Sequence, residues 1–444
     1  MTLSTQRKQA ICNLGRWITL ALGGWVVHGL VRALWAVIHL GVPAYDWQWY
    51  VGVVLLAVAL VAHLAWRLRP SWLRIHAFVG LPMWLVVSYG GFGQAIELDP
   101  ARAAPVPISF WASPSAGQDS EELMKALQSA GGRLYLTTSP HSLEEQARQD
   151  LSANLSRFAE HDIEVCLAAH VSNFLSVPVY DEWVSHVQDT AAFARDADAT
   201  NVWGIIGDAE APVGMRFDYL GLHRNEFDAA VRDGQQLIEV MEREHPQLQL
   251  GVTASWPHYI DGLDRDADLA ILQRSPVDPP GGWDFISVMA YSSYYPRPSR
   301  AYYTYLIERM MTRLYPEYEP FYLIGVVGYP NEPLLSYDEL VRDAHILRAL
   351  EAHEIGVFYL GGALRDFGDD FVQRFTTAVN WTGAESTVRI PFSRTASMVV
   401  YGVVAGDALL DIVGGRAVFF AVWLVLCGLI VHRRAKREKR RKET

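Results

Sequence analysis

Two hydrophobic patterns alternate through the middle of the chain. Eight short apolar, β-branched runs recur at Val106–Ser113, Arg133–Ser139, Glu164–Val171, Val202–Gly207, Gln249–Ser255, Asp284–Tyr291, Phe321–Val327 and Gly356–Leu360. Between them lie charged or amphipathic segments that predict helices, at Ser120–Ala130, Ser142–Glu160, Glu226–His245 and Ser336–His353. Ser142-Leu143-Glu144-Glu145 and Ser336 with Asp338 and Glu339 read as helix starts, since a hydroxyl can cap the free N–H groups and carboxylates suit the positive end. Strand-then-helix alternation predicts a parallel sheet. Eight such units in about 275 residues predict a (β/α)8 TIM barrel, an α/β fold. No glycine-rich phosphate loop follows the first run, which speaks against an open, doubly wound sheet.

Outside this region the apolar positions run on without a period. Four stretches, roughly 17–40, 48–66, 75–95 and 412–431, are long enough to cross a hydrocarbon core of ~30 Å. His28 and Arg32 interrupt the first stretch, and Pro82 lies in the third. Basic side chains cluster in three places: Arg7, Lys8 and Arg16 before the first span; Arg67, Arg69 and Arg74 between the second and third; and Arg433 to Lys442 after the fourth. The positive-inside rule puts all three on the cytoplasmic side if three spans precede the barrel and one follows it. The expectation is a multi-pass protein of the plasma (inner) membrane, with cytoplasmic termini and a periplasmic or extracellular barrel. The segment 396–411 carries Asp407 and Asp411 and is read as a connection. The predicted organisation is a three-helix transmembrane region at 1–96, a soluble barrel at 97–395, a connecting segment and last transmembrane helix at 396–431, and a basic tail at 432–444. The first span is too long for a cleaved signal peptide and lacks its small-residue cleavage site. Lipid is an expected partner of the spans, and other membrane proteins are possible partners.

Charge sharpens this division. The net charge of -11 hides an acidic barrel region, with about 22 Lys+Arg against about 44 Asp+Glu over 97–395. Such a body is not built to bind nucleic acid, because phosphate contacts need a basic face. Cys12, Cys166 and Cys427 offer neither a plausible disulfide nor metal-ligand spacing.

In a barrel of this kind the chemistry lies at the C-terminal ends of the strands. The runs close on Trp111, His170 with Asn173, Asp208 with Glu210, Trp256 with His258 and Tyr259, Tyr291 with Tyr294, Tyr329 with Asn331, and Tyr359. Aromatic rings can stack on the apolar faces of sugars while carboxylates and amides bind hydroxyls, so the predicted partner is a polysaccharide or oligosaccharide. Trp111, His170, Trp256, Tyr294, Tyr329 and Tyr359 are the candidate binding residues. Asp208 and Glu210 alternate on an extended segment and should share a face, in line with Ile206. Adjacent carboxylates raise one another's proton affinity, so one can serve as a general acid.

The sixth run, Asp284-Phe285-Ile286-Ser287-Val288-Met289-Ala290-Tyr291, resembles the sixth-strand motif of glycoside hydrolase family 18, the chitinase and endo-N-acetylglucosaminidase group. Ile206, Asp208 and Glu210 are similar to that family's fourth-strand D-x-D-x-E ending, and Gly356-Val357-Phe358-Tyr359 to its eighth-strand ending. The resemblance covers roughly residues 105–380. It implies that Glu210 protonates the glycosidic oxygen. Asp208 would hold the 2-acetamido group, whose carbonyl oxygen attacks the anomeric carbon, and Tyr291 would hydrogen-bond that group. This is the substrate-assisted variant of glycoside hydrolysis. It implies no metal and no organic cofactor.

Two positions depart from the family pattern. Ile206 stands where the family has an Asp that shares a proton network with the middle Asp, and Ser292 stands where many chitinases have Asp. Glu210 is retained, whereas lectin-like members typically lose it. Three readings stay open: a membrane-anchored glycosidase or transglycosidase, a non-catalytic glycan-binding barrel, and a structural partner in envelope-polysaccharide assembly.

Overall fold

The computed structural model describes residues 95–115, 120–171, 177–209, 224–263, 267–272, 274–276, 282–316, 318–326, 335–381, 387–391 and 393. Apart from Ala95 at the end of the third, the four expected spans and the basic tail lie outside these residues. Among the described residues no helix is long and apolar enough to cross a membrane.

The described residues form ten strands: β1 (Ala95–Leu98), β2 (Ile108–Ala112), β3 (Gly131–Thr138), β4 (Val165–Ala169), β5 (Val202–Ala209), β6 (Gln249–Ser255), β7 (Phe285–Met289), β8 (Phe321–Val326), β9 (Ile355–Phe358) and β10 (Val388–Pro391). Strands β2 to β9 close into an eight-stranded barrel in chain order. Each pairs in parallel with its neighbours, and β9 returns to β2 through Ile108↔Ile355 and Trp111↔Phe358. β2 and β4 are buried along their whole length, as strands covered on both faces must be.

Nine helices are described: α1 (Glu121–Ala130), α2 (Glu145–Glu160), α3 (Tyr180–Asp196), α4 (Arg224–Glu244), α5 (Asp268–Leu272), α6 (Arg300–Leu314), α7 (Tyr337–Ala349), α8 (Leu360–Phe367) and α9 (Phe371–Val379). The architecture is that of a TIM barrel. Two caps behave as their sequences require. Ser120 Oγ accepts from Leu123 N at 3.2 Å, and Ser336 and Glu339 exchange hydrogen bonds as a capping box. Gly131 turns α1 into β3 at φ +70°, a left-handed conformation that costs glycine little.

Some boundaries differ from the sequence reading. α2 starts at Glu145 because Ser142 is used elsewhere: its hydroxyl accepts from Ser139 N at 3.1 Å and closes a 3-10 turn over Pro140–Leu143. Helices α3, α6, α8 and α9 carry no signature that separated them from the loops. α6 shows the reason, since its aromatic and apolar side chains are buried almost all round, leaving no polar stripe to set a period.

Outside the barrel, β1 and β10 pair antiparallel, with Ala95 opposite Pro391 and Leu98 opposite Val388. This pair, also unmarked in the sequence, brings the beginning and end of the described region side by side. β1 starts at Ala95, the last residue of the third expected span.

Candidate active site

Side chains alternate along a strand, so each barrel strand sends every second residue into the lumen. Trp111, Tyr135, Cys166, Ala168, Ile206, Met289, Phe321 and Leu323 meet in one apolar cluster. They come from six different strands, so the cluster fills the barrel's interior.

Towards the N-terminal pole the lumen ends in a charged network. Glu354 accepts from Ser109 Oγ, from Arg133 and, at 3.1 Å, from Tyr135 Oη. Arg133 also reaches Glu164 at 3.3 Å and lies 3.7 Å over the Trp203 ring. Burial, reinforced by Glu354, holds the Tyr135 hydroxyl well above its usual range, and burial does the same to the Cys166 thiol. Neither is a nucleophile at neutral pH.

Towards the C-terminal pole the lining turns polar. Asp208 follows Ile206 on the same face of β5 and is half-buried. Its register partner on β6 is Thr253, whose Oγ1 donates to Ser287 Oγ on β7 at 3.1 Å. Ser255, next along the same face of β6, hydrogen-bonds His258 Nδ1 at 2.9 Å. Burial lowers the His258 pKa to about 4, so the imidazole is neutral. The hydroxyls of Thr253, Ser255 and Ser287 escaped the sequence reading of the site, which names His258 beside Trp256 at the close of its run. The alternation along β6 would have pointed to Thr253 and Ser255.

The aromatic candidates divide. Trp111 stacks on Tyr135 at 5.6 Å and donates its indole N–H to Thr137 Oγ1 at 2.8 Å. Only 3% of it is exposed, so it belongs to the lumen packing beneath the mouth. Tyr291 is half-buried, 6.0 Å from the Phe358 ring and 6.3 Å from Tyr294, which is 56% exposed. Phe358 also meets Trp111 at 5.9 Å, so Trp111, Phe358, Tyr291 and Tyr294 form a continuous aromatic file from lumen to surface. Tyr359 is half-buried and lies against Gly361, where a Cβ would come within 3.1 Å of its ring. His170 follows Ala168 in the β4 alternation and is half-buried, which lowers its pKa.

Trp256 is set apart. It falls on the opposite parity from Thr253 and Ser255, is 3% exposed, and packs edge-on against Tyr303 of α6 at 6.4 Å. It offers no open face to a sugar. Tyr259 is likewise buried, donating to Ser287 O at 2.7 Å. Glu210, Asn173, Tyr329 and Asn331 lie outside the described residues.

Ser292 is fully buried and donates to Asp343 Oδ2 of α7. Burial holds the Asp343 carboxyl above its usual range, although Arg342 and Ser292 pull it down. Among the described residues no His, Cys, Asp and Glu group is arranged to hold a metal ion.

No protein-family model matches the chain, and no curated protein matches it. Among solved structures it is similar to the glycoside hydrolase domain of PgaB (BpsB) from Bordetella bronchiseptica, at 10% identity and TM-score 0.42 over 63% of this chain and 100% of that one. It is similar to the catalytic domain of a hyperthermophilic chitinase from Pyrococcus furiosus, at 12% identity and TM-score 0.39 over 69% and 97%. A GH18 chitinase from Pseudoalteromonas aurantia matches at 11% identity and TM-score 0.42 over 61% and 99%. These neighbours are glycoside hydrolases.

Proposed function

We propose that the protein is a membrane-anchored glycoside hydrolase acting on an N-acetylhexosamine-containing or related surface glycan. The observation that carries the reading is the shared face of Ile206 and Asp208 on β5. It aims a carboxylate from the lumen wall towards the C-terminal mouth, the end where barrels of this kind do their chemistry. The aromatic file ending in Tyr291 and Tyr294 supports a sugar ligand, since it pairs an apolar wall with phenolic hydroxyls.

In this reading Asp208 orients the 2-acetamido group and stabilises the positive charge that develops on it. The acetamido oxygen attacks the anomeric carbon as the bond to the leaving oxygen breaks, and Glu210 gives that oxygen its proton. Water then opens the cyclic intermediate and returns a proton to Glu210. Tyr291 hydrogen-bonds the acetamido group. The sequence supports four membrane spans, cytoplasmic termini and a periplasmic or extracellular barrel, so the glycan is one at the cell surface.

One observation favours a second reading, a barrel that binds glycan without cutting it. Ile206 is fully buried in the apolar cluster, so β5 supplies no carboxylate to share a proton with Asp208 from that position. Incubation of the full chain with a panel of N-acetylhexosamine oligomers separates the two. Turnover that Glu210→Gln abolishes establishes the hydrolase; binding without turnover in the wild type establishes the binding module.

A further inference from the structure

Two large apolar side chains stand exposed among the described residues: Tyr294 at 56% and Trp381 at 59%. Tyr294 belongs to the mouth already described. Trp381 follows α9 and is part of a different surface. The preceding Asn380 is locked to Val106, two residues before β2, accepting from its N–H at 3.0 Å and donating to its carbonyl at 3.1 Å. That contact places Trp381 near the N-terminal pole, away from the mouth.

Trp381 borders two open clefts. One, of about 600 Å³, runs between α1 and α9 and is lined by Glu122, Lys125, Gln373, Thr376 and Thr377. The other, of about 420 Å³, shares Gln373, Thr377 and Trp381 and adds Asp370 and Arg374. Thr376 Oγ1 is buried there with no hydrogen-bond partner.

The indole is carried on a fixed base. Arg348, 1% exposed, donates to Trp381 O at 3.0 Å, Val379 O at 2.7 Å, Ala103 O at 2.9 Å and Ala104 O at 3.1 Å. The backbone position is fixed and the indole turns about only two side-chain torsions, so ordering it on a ligand costs little. The lining combines an amide, hydroxyls and charges of both signs. That set suits the hydroxyls and amides of a neutral sugar. It does not suit an anionic lipid, which would call for an excess of Lys and Arg.

We propose that the α1–α9 groove is a second glycan-binding site, in which Trp381 stacks on a sugar ring and Gln373, Thr377 and Lys125 hydrogen-bond its substituents. The site lies outside the barrel mouth and takes the same class of neutral N-acetylated polymer. Its ligand class rests on the glycan reading of the mouth. α1 runs antiparallel to the strands, so the groove extends from Glu122, nearer the mouth, towards Trp381. It can hold a stretch of polymer while another stretch occupies the mouth.

Calorimetric titration of the full chain with β-1,4-linked N-acetylglucosamine hexasaccharide tests this. The wild type should bind at two sites. Trp381→Ala should weaken one of them about ten-fold and leave the other intact, the scale of losing a central aromatic anchor. Trp381→Phe, which keeps a flat ring, should restore most of it. Tyr291→Ala should weaken the other site alone. A Trp381→Ala titration that matches the wild type while Tyr291→Ala removes all binding overturns the groove and leaves the mouth standing. Loss with Trp381→Ala but none with Tyr291→Ala upholds the groove and removes the mouth. No binding by the wild type overturns both. An effect of Trp381→Ala confined to phospholipid vesicles overturns the glycan assignment in favour of a lipid contact.

Discussion

Thr253 is the register partner of Asp208 across β5 and β6, and its Oγ1 passes a 3.1 Å hydrogen bond to Ser287 Oγ on β7. A line of polar side chains therefore spans three neighbouring strands beside the apolar cluster that holds Ile206, whose Met289 lies two residues beyond Ser287 on β7. The boundary between the two falls within two residues of β5. Ile206→Asp would place a carboxylate among Trp111, Tyr135 and Met289. It should destabilise the barrel by roughly 3 kcal/mol at pH 7, because a buried charge has no partner there. The loss should shrink at pH 4–5, where the new carboxyl is protonated. Denaturant unfolding at both pH values measures it, and an unchanged midpoint would show that the lumen admits water at position 206.

Glu210→Gln keeps the shape and hydrogen-bonding reach of the side chain and removes its titratable proton. Turnover of N-acetylhexosamine oligomers should fall about 10²–10⁴-fold, the scale of general acid catalysis, with affinity nearly intact. Asp208→Asn should also slow turnover, since an amide stabilises the developing positive charge less well. Steady-state kinetics beside equilibrium binding separates the two effects.

Glu308 introduces a pH dependence unrelated to the site. Its side chain on α6 is 2% exposed and accepts from Thr312 Oγ1 at 2.7 Å. Burial pushes its pKa up to about 7, against the opposing pull of that hydrogen bond and of Arg309. The folded state thus holds the proton more tightly than the unfolded one. The stability this provides is complete below pH ~4.5 and is lost as pH rises through 7, on the order of 3 kcal/mol in all. Glu308→Gln should remove that part of the pH dependence. The difference in melting temperature between wild type and variant, followed from pH 5 to 8, should grow in the variant's favour; a constant difference would refute the assignment.

Arg348 ties the segment before β2 to the end of α9 through four backbone carbonyls. Arg348→Lys keeps the charge but cannot reproduce the planar fork. Of the four bonds only that to Val379 O is fully buried, so leaving that carbonyl unmet should cost about 1–3 kcal/mol. Urea unfolding measures the loss, and a variant as stable as wild type would show that water replaces the guanidinium.

Topology can be tested with an introduced cysteine at Gln128, an exposed position on α1, and another at Lys442. With Cys12 and Cys427 replaced by Ser, the buried Cys166 is shielded. A membrane-impermeant maleimide added to intact cells or spheroplasts should label position 128 and spare position 442. The reverse pattern would invert the orientation.

The eight-fold repeat of apolar runs was legible in the sequence because a barrel strand buried on both faces must be apolar along its length. The order and parallel sense followed from the intervening helices, and Ser120 and Ser336 cap where their side chains dictate. The face shared by Ile206 and Asp208 was equally legible, since period-two alternation is a local property of an extended chain. Tertiary packing decided the rest. Trp111 and Trp256 look alike at strand ends, yet the parity of each position sends one into the lumen packing and the other against Tyr303. The Thr253–Ser287 hydrogen bond joins residues 34 positions apart, and the Arg348 clamp reaches back as far as 245. Neither has a local signature, because each exists only once the barrel has closed and brought those strands and helices together.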